Sequence, residues 1–470
     1  MNIWNVKYIA GTTAIWLVSR YAKADMERQT DICVDHNSNN QHISPYYDDE
    51  DICLHHGNAS EHSITLKRYN RADGLSALQM AEDNHNAFRR GKISFARRSE
   101  GSFGSIGYSG SHVSQNALKL MRRSNPKSLS MLSRSEYGKY IPIKETKDSL
   151  YIGEIMIGTP PQIVHPIFDT GSTNLWVVGY DCKDPSCLKV ARYNTSVSST
   201  FERLKNPVRI HVKFGTGEIE GYPALDTVTI GETVVPKQAL AVVDSENSGT
   251  QISNIFNKIN FEGIVGLAFP EMSSIPGMPI FDHMALLRNM KHKEFAFYIS
   301  NNDKDSKLML GGVDPQYYTG KIKMFPVVRE HYWEVKLDAL YVGDEKLCCD
   351  GESSYLIFDS GTSLNTVPSS YFDRFISHFK IKTCDDYEVY PTITYVIGGE
   401  HIKLEPHQYM LSSNGRCLPA YMQLDVPSEF GNAFIVGSNA FMRHYLTVYH
   451  RGSNGSKSMV GIAPAAHNSA

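Results

Sequence analysis

The stretch "PIFDTGSTNLWVV" (166–178) sets one carboxylate between an apolar run and a Thr-Gly-Ser turn, then returns at once to Leu-Trp-Val-Val. A carboxylate so placed costs free energy unless it is hydrogen-bonded or paired. A second copy, "LIFDSGTSLNTVP" (356–368), repeats Ile-Phe-Asp-Ser/Thr-Gly. Asp169 and Asp359 therefore read as partners. A further shared element supports this: "GIVGLAF" (263–269) and "FIVGSNAF" (434–441) both carry Ile-Val-Gly, and each follows the Asp motif of its own half. Two kinds of match in the same order imply an internal duplication. It gives two lobes of similar topology, each supplying one Asp, joined near 301–314.

At 470 residues the chain is too long for one ordinary core. From about residue 140, "YIPIKE", "LYIGEIMIG", "VHPIFD", "LWVV", "VRIHVKFG" and "DTVTIG" are strand-like runs broken by turn residues. Later, "FAFYIS", "KLMLGG", "YWEVKLDALYVG" and "SYLIFDSG" repeat the texture. Helices are expected at 279–290 and 368–379. The fold class is mostly β and bilobal.

The first third reads differently. Residues 1–24 form an expected signal peptide: Lys7, an apolar run too short to span a bilayer, then Ala22-Lys23-Ala24. An uncleaved anchor is the alternative reading. Residues 25–75 are polar, 99–111 are linker-like, and 76–88 and 114–123 permit short helices. Between 86 and 134 there are ten Lys/Arg and one acid, whereas 138–470 hold 30 basic against 36 acidic side chains. A basic segment thus precedes an acidic body. It reads either as a solvated arm or as an inhibitory segment docked on an acidic cleft. Nucleic-acid binding is disfavoured, since no aromatic platform or groove-reading motif accompanies the charge. The pairs Arg89-Arg90, Arg97-Arg98 and Arg122-Arg123 are candidate processing sites. Asn58, Asn194 and Asn454 open glycosylation sequons. A secretory route makes disulfides plausible for the eight cysteines. Cys182 and Cys187 would close a small loop, Cys384 and Cys417 a larger hairpin, and Cys33 and Cys53 could pair early. The state of adjacent Cys348 and Cys349 stays open.

Two lobes meeting face to face can hold two carboxylates that share one proton, because both cannot easily ionise at close range. The ionised one can take a proton from a trapped water, and the other can donate its proton to a carbonyl oxygen. Gly171 and Gly361 would let the backbone turn tightly and donate N–H bonds to the carboxylates. Ser172 and Thr362 supply hydroxyls, and Thr170 and Ser360 add polar support. No cofactor is called for. The His residues show no metal spacing and no Gly-x-Ser-x-Gly elbow is present.

These residues resemble the pepsin-like (A1) aspartic proteases. The likeness spans about 137–463 and is carried by both Asp motifs, "YIGEIMIGTPPQ", "NLWVV", "FEGIVGLAFP" and "YYTG". Within that family the prosegment and the C-x4-C spacing are similar to the apicomplexan plasmepsin IX and plasmepsin X maturases. The resemblance implies a zymogen, with a central cleft between the two lobes. Its parts would be a prosegment at 25–137, an N-terminal catalytic lobe with a flap at 138–314, and a C-terminal catalytic lobe at 315–470. It implies Asp169 and Asp359 as the catalytic pair, with Gly266 and Gly437 behind their loops. Phe214, Gly215 and Thr216 match the flap, and Ile167, Trp176, Ile264, Ser363 and Tyr332 line the cleft. Three departures stand out. Phe214 replaces the usual flap Tyr and lacks a hydroxyl for Trp176. Ser438 replaces a common Asp, which removes like-charge repulsion near the pair and points to a less acidic optimum. Cys348-Cys349 replaces a spaced pair.

The expected activity is endopeptidase cleavage of secretory-pathway proteins at mildly acidic pH, in an acidic secretory organelle or after secretion. Expected partners are protein or peptide substrates, the chain's own prosegment as an intramolecular inhibitor, and pepstatin-like or hydroxyethylamine-type inhibitors. A monomer is expected, with no nucleic acid and no metal. The alternatives are a degradative vacuolar protease and a non-catalytic peptide-binding relative. The second would show a replaced Asp or a disrupted turn, and here both Asp residues and both glycines stand intact.

Overall fold

The structure is a computed structural model. It describes residues 139–145 and 150–467 except 205–208, 215–216, 248–261, 288–289, 291, 302–304, 352, 380–385, 414–415, 427–430 and 454, together with residues 32–33 and 42–43. The expected signal peptide, the early helices, the linker, the dibasic pairs, Asn58, Asn454 and the Cys33–Cys53 pairing lie outside the described residues.

Two eleven-stranded sheets dominate the fold. The run Ile-Phe-Asp is apolar at every position but the last, which suits a strand covered on both faces. Ile167–Asp169 is buried throughout. It pairs in parallel with Gly263–Gly266, so that Gly266 lies opposite Asp169. Gly263–Gly266 also runs antiparallel to Leu175–Val178, which in turn is parallel to residues 241–243. The second sheet repeats this arrangement. Ser354–Asp359 is parallel to Asn432–Gly437, with Gly437 opposite Asp359. Asn365–Val367 contacts Asn432–Gly437 antiparallel and runs parallel to Tyr421–Gln423. The duplication read from the two motifs is therefore a duplication of strand topology.

A shared platform joins the halves. Glu294–Tyr298 and Lys307–Leu310 pair with each other and belong to the second sheet, with Lys139–Pro142 on its edge. Lys307–Leu310 falls inside 301–314 and, like Glu294–Tyr298 before it, lies in the second sheet, so the chain leaves the first sheet before Glu294. Both expected helices form, Ile280–Leu287 after Pro279 and Ser369–Ile376 after Pro368. Proline before a first turn supplies a suitable φ and forgoes an amide that would have no partner there. Phe281 and Met284 bury the inner face of the first helix. Phe168, Trp333, Phe358 and Tyr449 are fully buried in one continuous core, each worth about 1.5–3 kcal/mol of transfer free energy.

Candidate active site

Each Asp ends its strand and begins a tight turn, and the two turns meet. Gly171 N donates to Asp169 Oδ1 at 2.8 Å and Ser172 Oγ to Oδ2 at 2.5 Å. Gly361 N donates to Asp359 Oδ1 at 2.8 Å and Thr362 Oγ1 to Oδ2 at 2.5 Å. The two carboxyls lie side by side: a Cβ placed on Gly361 would be 2.3 Å from Asp169 Oδ1 and 3.2 Å from Asp359 Oδ1. A reciprocal lock holds the turns together. Thr170 Oγ1 donates to Phe358 O at 2.8 Å and accepts from Ser360 N at 2.9 Å. Ser360 Oγ donates to Phe168 O at 2.8 Å and accepts from Thr170 N at 3.0 Å. Every polar residue that the sequence placed here is thus used, each with a pseudo-twofold counterpart.

Space explains the glycines. A Cβ on Gly171 would lie 2.6 Å from Asp359 Oδ1, and one on Gly361 would lie 2.3 Å from Asp169 Oδ1. A Cβ on Gly266 would strike the Thr173 carbonyl carbon at 2.2 Å, and one on Gly437 the Thr362 oxygen at 2.5 Å.

Burial raises the pKa of Asp169 well above the ordinary carboxylate value, and the Asp359 charge raises it further, against hydrogen bonds from Ser172 and Gly171. Asp359 is also raised by burial, with the Thr362, Asp169 and Gly361 hydrogen bonds opposing. A buried pair under these forces keeps one proton between its members.

The surrounding residues fall into two groups. Ile167, Trp176 and Ile264 are buried in an apolar cluster with Ile210, Val212 and Ile219, at the foot of the hairpin read as the flap. Phe214 ends the strand Ile210–Phe214 and pairs with Gly217, while Gly215 and Thr216 lie outside the described residues. Trp176 Nε1 is buried with no acceptor among the described residues, in keeping with the missing flap hydroxyl. On the other side, Ser363 is buried and its carbonyl accepts from Asn439 N at 3.1 Å. Burial, then the charges of Asp359, Glu334 and Asp169, raises the Tyr332 hydroxyl above its ordinary value, which puts this residue in the field of the pair. Ser438 is buried, and its amide donates to Thr362 O at 2.8 Å.

Cys182 and Cys187 are bonded as expected. Cys417 is also disulfide-bonded, and Cys384 lies outside the described residues. Cys348 and Cys349 are bonded to each other, which settles the state that the sequence left open.

Sequence reading missed two residues behind the Asp169 turn. Trp333 Nε1 donates to Leu267 O at 3.0 Å, and Arg451 Nη2 donates to Ala268 O at 2.6 Å. Trp333 had the signal of strand packing only. Arg451 offered a single cation ending an apolar strand.

A model of the eukaryotic aspartyl protease family matches residues 150–465. The chain belongs to that family. It is 52% identical over 335 residues to aspartic protease 3 of Toxoplasma gondii, covering 70% of this chain and 52% of that one. It is 39% identical over 392 residues to plasmepsin IX of Plasmodium falciparum, covering 70% and 62%. It is 35% identical over 344 residues to cathepsin D of Chionodraco hamatus, covering 69% and 83%. The matched part of this chain spans about half to three-fifths of the first two relatives. Both Asp turns of this aspartyl protease fold, and the glycines behind them, fall inside the matched region.

Proposed function

We propose that the chain is an aspartic endopeptidase that hydrolyses peptide bonds with a water activated between Asp169 and Asp359. One observation carries this reading: two buried carboxyls lie side by side in a frame that hydrogen-bonds every oxygen. The ionised carboxylate removes a proton from the water as its oxygen attacks the scissile carbonyl carbon. The protonated carboxyl gives its proton to the carbonyl oxygen. The tetrahedral diol then returns a proton from one hydroxyl to the ionised carboxylate while the amine nitrogen takes the proton held by the other carboxyl. The C–N bond breaks, and the pair again holds one proton. No covalent intermediate forms. The frame costs no reorganisation during reaction, since its donors are fixed beforehand.

The substrates on this reading are extended polypeptides of the secretory pathway, cut at mildly acidic pH. The likeness to aspartic protease 3 and plasmepsin IX supports a polypeptide substrate, and Ser438 beside the turns supports the mildly acidic pH. The assignment of 25–137 as prosegment and 138–314 and 315–470 as lobes belongs to the same proposal. So do statine or hydroxyethylamine inhibitors, which carry a hydroxyl where the diol forms.

The test is digestion of a peptide library by the purified, processed chain beside Asp169→Asn and Asp359→Asn. The parent is expected to cut, and each variant to lose about 10³-fold or more in kcat. A processed parent that cuts nothing, or variants that cut as the parent does, would overturn the reading.

A further inference from the structure

The Asp169 turn is held from behind by three consecutive residues, each tied on two sides. Leu267 N donates to Asp169 O at 2.8 Å, and Ala268 N to Ser172 O at 2.7 Å. Phe269 O accepts from Thr173 Oγ1 at 2.8 Å. On their other side the same residues meet the second half of the chain. Leu267 O accepts from Trp333 Nε1 at 3.0 Å and Ala268 O from Arg451 Nη2 at 2.6 Å. The Phe269 ring lies under the Arg451 guanidinium, 4.1 Å from its central carbon.

Arg451 is an unusual residue to find there. It is 6% exposed. Its Nη2 also reaches Asp282 Oδ2 at 3.0 Å, and its amide donates to Lys293 O at 2.7 Å. Nε and Nη1 have no hydrogen-bond partner among the described residues. The Phe269, Trp333 and Phe281 rings face the guanidinium instead, at 4.1, 4.8 and 5.9 Å. Aromatic faces attract a desolvated cation. A planar guanidinium can stack on them and donate in its plane at once, which an ammonium cannot do.

We propose that Arg451 is a positioning residue for hydrolysis: from the carboxyl-terminal half it braces Ala268, and through Ala268 the Ser172 end of the Asp169 turn, so that the two carboxyls keep their register across the lobe boundary. This rests on the aspartic hydrolase reading. The ion pair with Asp282 is made by the same Nη2 in a second direction. It anchors the cation to the helix Ile280–Leu287, away from the turn.

That separation supplies the test. Arg451→Lys keeps the charge and can still meet Asp282, but loses the planar brace. Asp282→Asn breaks the ion pair and leaves the Ala268 bond. Both are expected to lower the thermal midpoint. Only Arg451→Lys is expected to cut kcat, about tenfold with KM within twofold, because a small misplacement of a reacting group is costly. It is also expected to move the acid limb of the pH–kcat profile. Trp333→Phe, which removes the neighbouring donor and keeps a ring, is expected to act in the same direction. It reads the brace if Arg451→Lys does not fold. Hydrogen exchange in peptides covering 165–178 and 263–272 measures the brace whether or not the chain cuts peptides. Exchange should rise in Arg451→Lys and Trp333→Phe and stay at the parent level in Asp282→Asn. Unchanged exchange in Arg451→Lys, or a kcat loss that Asp282→Asn shares in proportion to lost stability, overturns the proposal. An inactive parent with the expected exchange pattern counts against the hydrolase reading and leaves the brace standing.

Discussion

At the scale of single residues, the site is set by hydrogen atoms in the place of side chains. Gly171 and Gly361 each bring their backbone against the carboxyl of the opposite half. Gly361→Ala would set a methyl carbon 2.3 Å from Asp169 Oδ1, so the carboxyl must move. We expect kcat to fall by about 10²-fold or more while circular dichroism stays at the parent spectrum. Activity at the parent level would show that the turn can absorb the methyl. These glycines were legible in the sequence because they stand next to the Asp residues in both copies. The donors Ser172, Thr362, Thr170 and Ser360 were legible for the same reason. Arg451 was not. Its contacts with Asp282 and Ala268 span 169 and 183 positions, and no local pattern encodes a brace between residues so far apart.

At the scale of elements, most of the strands were legible from β-branched and aromatic runs between turn residues. Their pairing was not, since register between distant strands is decided in three dimensions. One consequence concerns the long strand Thr233–Asn247. Near its end, Glu246 is 4% exposed. Its amide donates to Asp184 Oδ2 at 2.6 Å, and Ser245 Oγ reaches the same oxygen at 3.1 Å. The Cys182–Cys187 loop is thereby clamped to this strand. Burial pushes the Glu246 carboxyl from 4.5 up to about 7, with Ser186 opposing and Asp184 adding to the rise. The folded value lies above the unfolded one, so the fold favours the neutral acid. That stability is fully present below pH 4.5 and is lost as pH rises toward 7. Glu246→Gln keeps the shape and removes the charge. We expect it to match the parent at pH 4 and to exceed it at pH 8 by about 3 kcal/mol, as an order of magnitude. Urea unfolding at the two pH values measures this. An equal difference at both would mean that Glu246 is not the titrating group.

At the scale of the whole molecule, duplication gives two copies of one topology, and the Asp169–Asp359 pair exists only where they meet. The two-lobe plan was legible from the repeated Ile-Phe-Asp and Ile-Val-Gly elements. The platform that joins the halves was not, because Lys139–Pro142 and Lys307–Leu310 carry no repeat signal and pair across 165 to 171 positions. The basic run ahead of an acidic body carries its own expectation. If it docks on the cleft as a prosegment, carboxylate protonation should loosen it. Intact mass and N-terminal sequencing across pH 4–7 should then show conversion to a start near 137–138 at the acidic end. A chain that stays whole and inhibited throughout would remove acid as the trigger.

The most direct measurement of the central claim is the pH dependence of kcat/KM from 3.5 to 7 for the processed chain, with Asp359→Asn measured in parallel. A pair sharing one proton predicts a bell-shaped profile bounded by two macroscopic titrations, and no profile at all in the variant. A single-sided curve in the parent, or residual bell-shaped activity in Asp359→Asn, would contradict it.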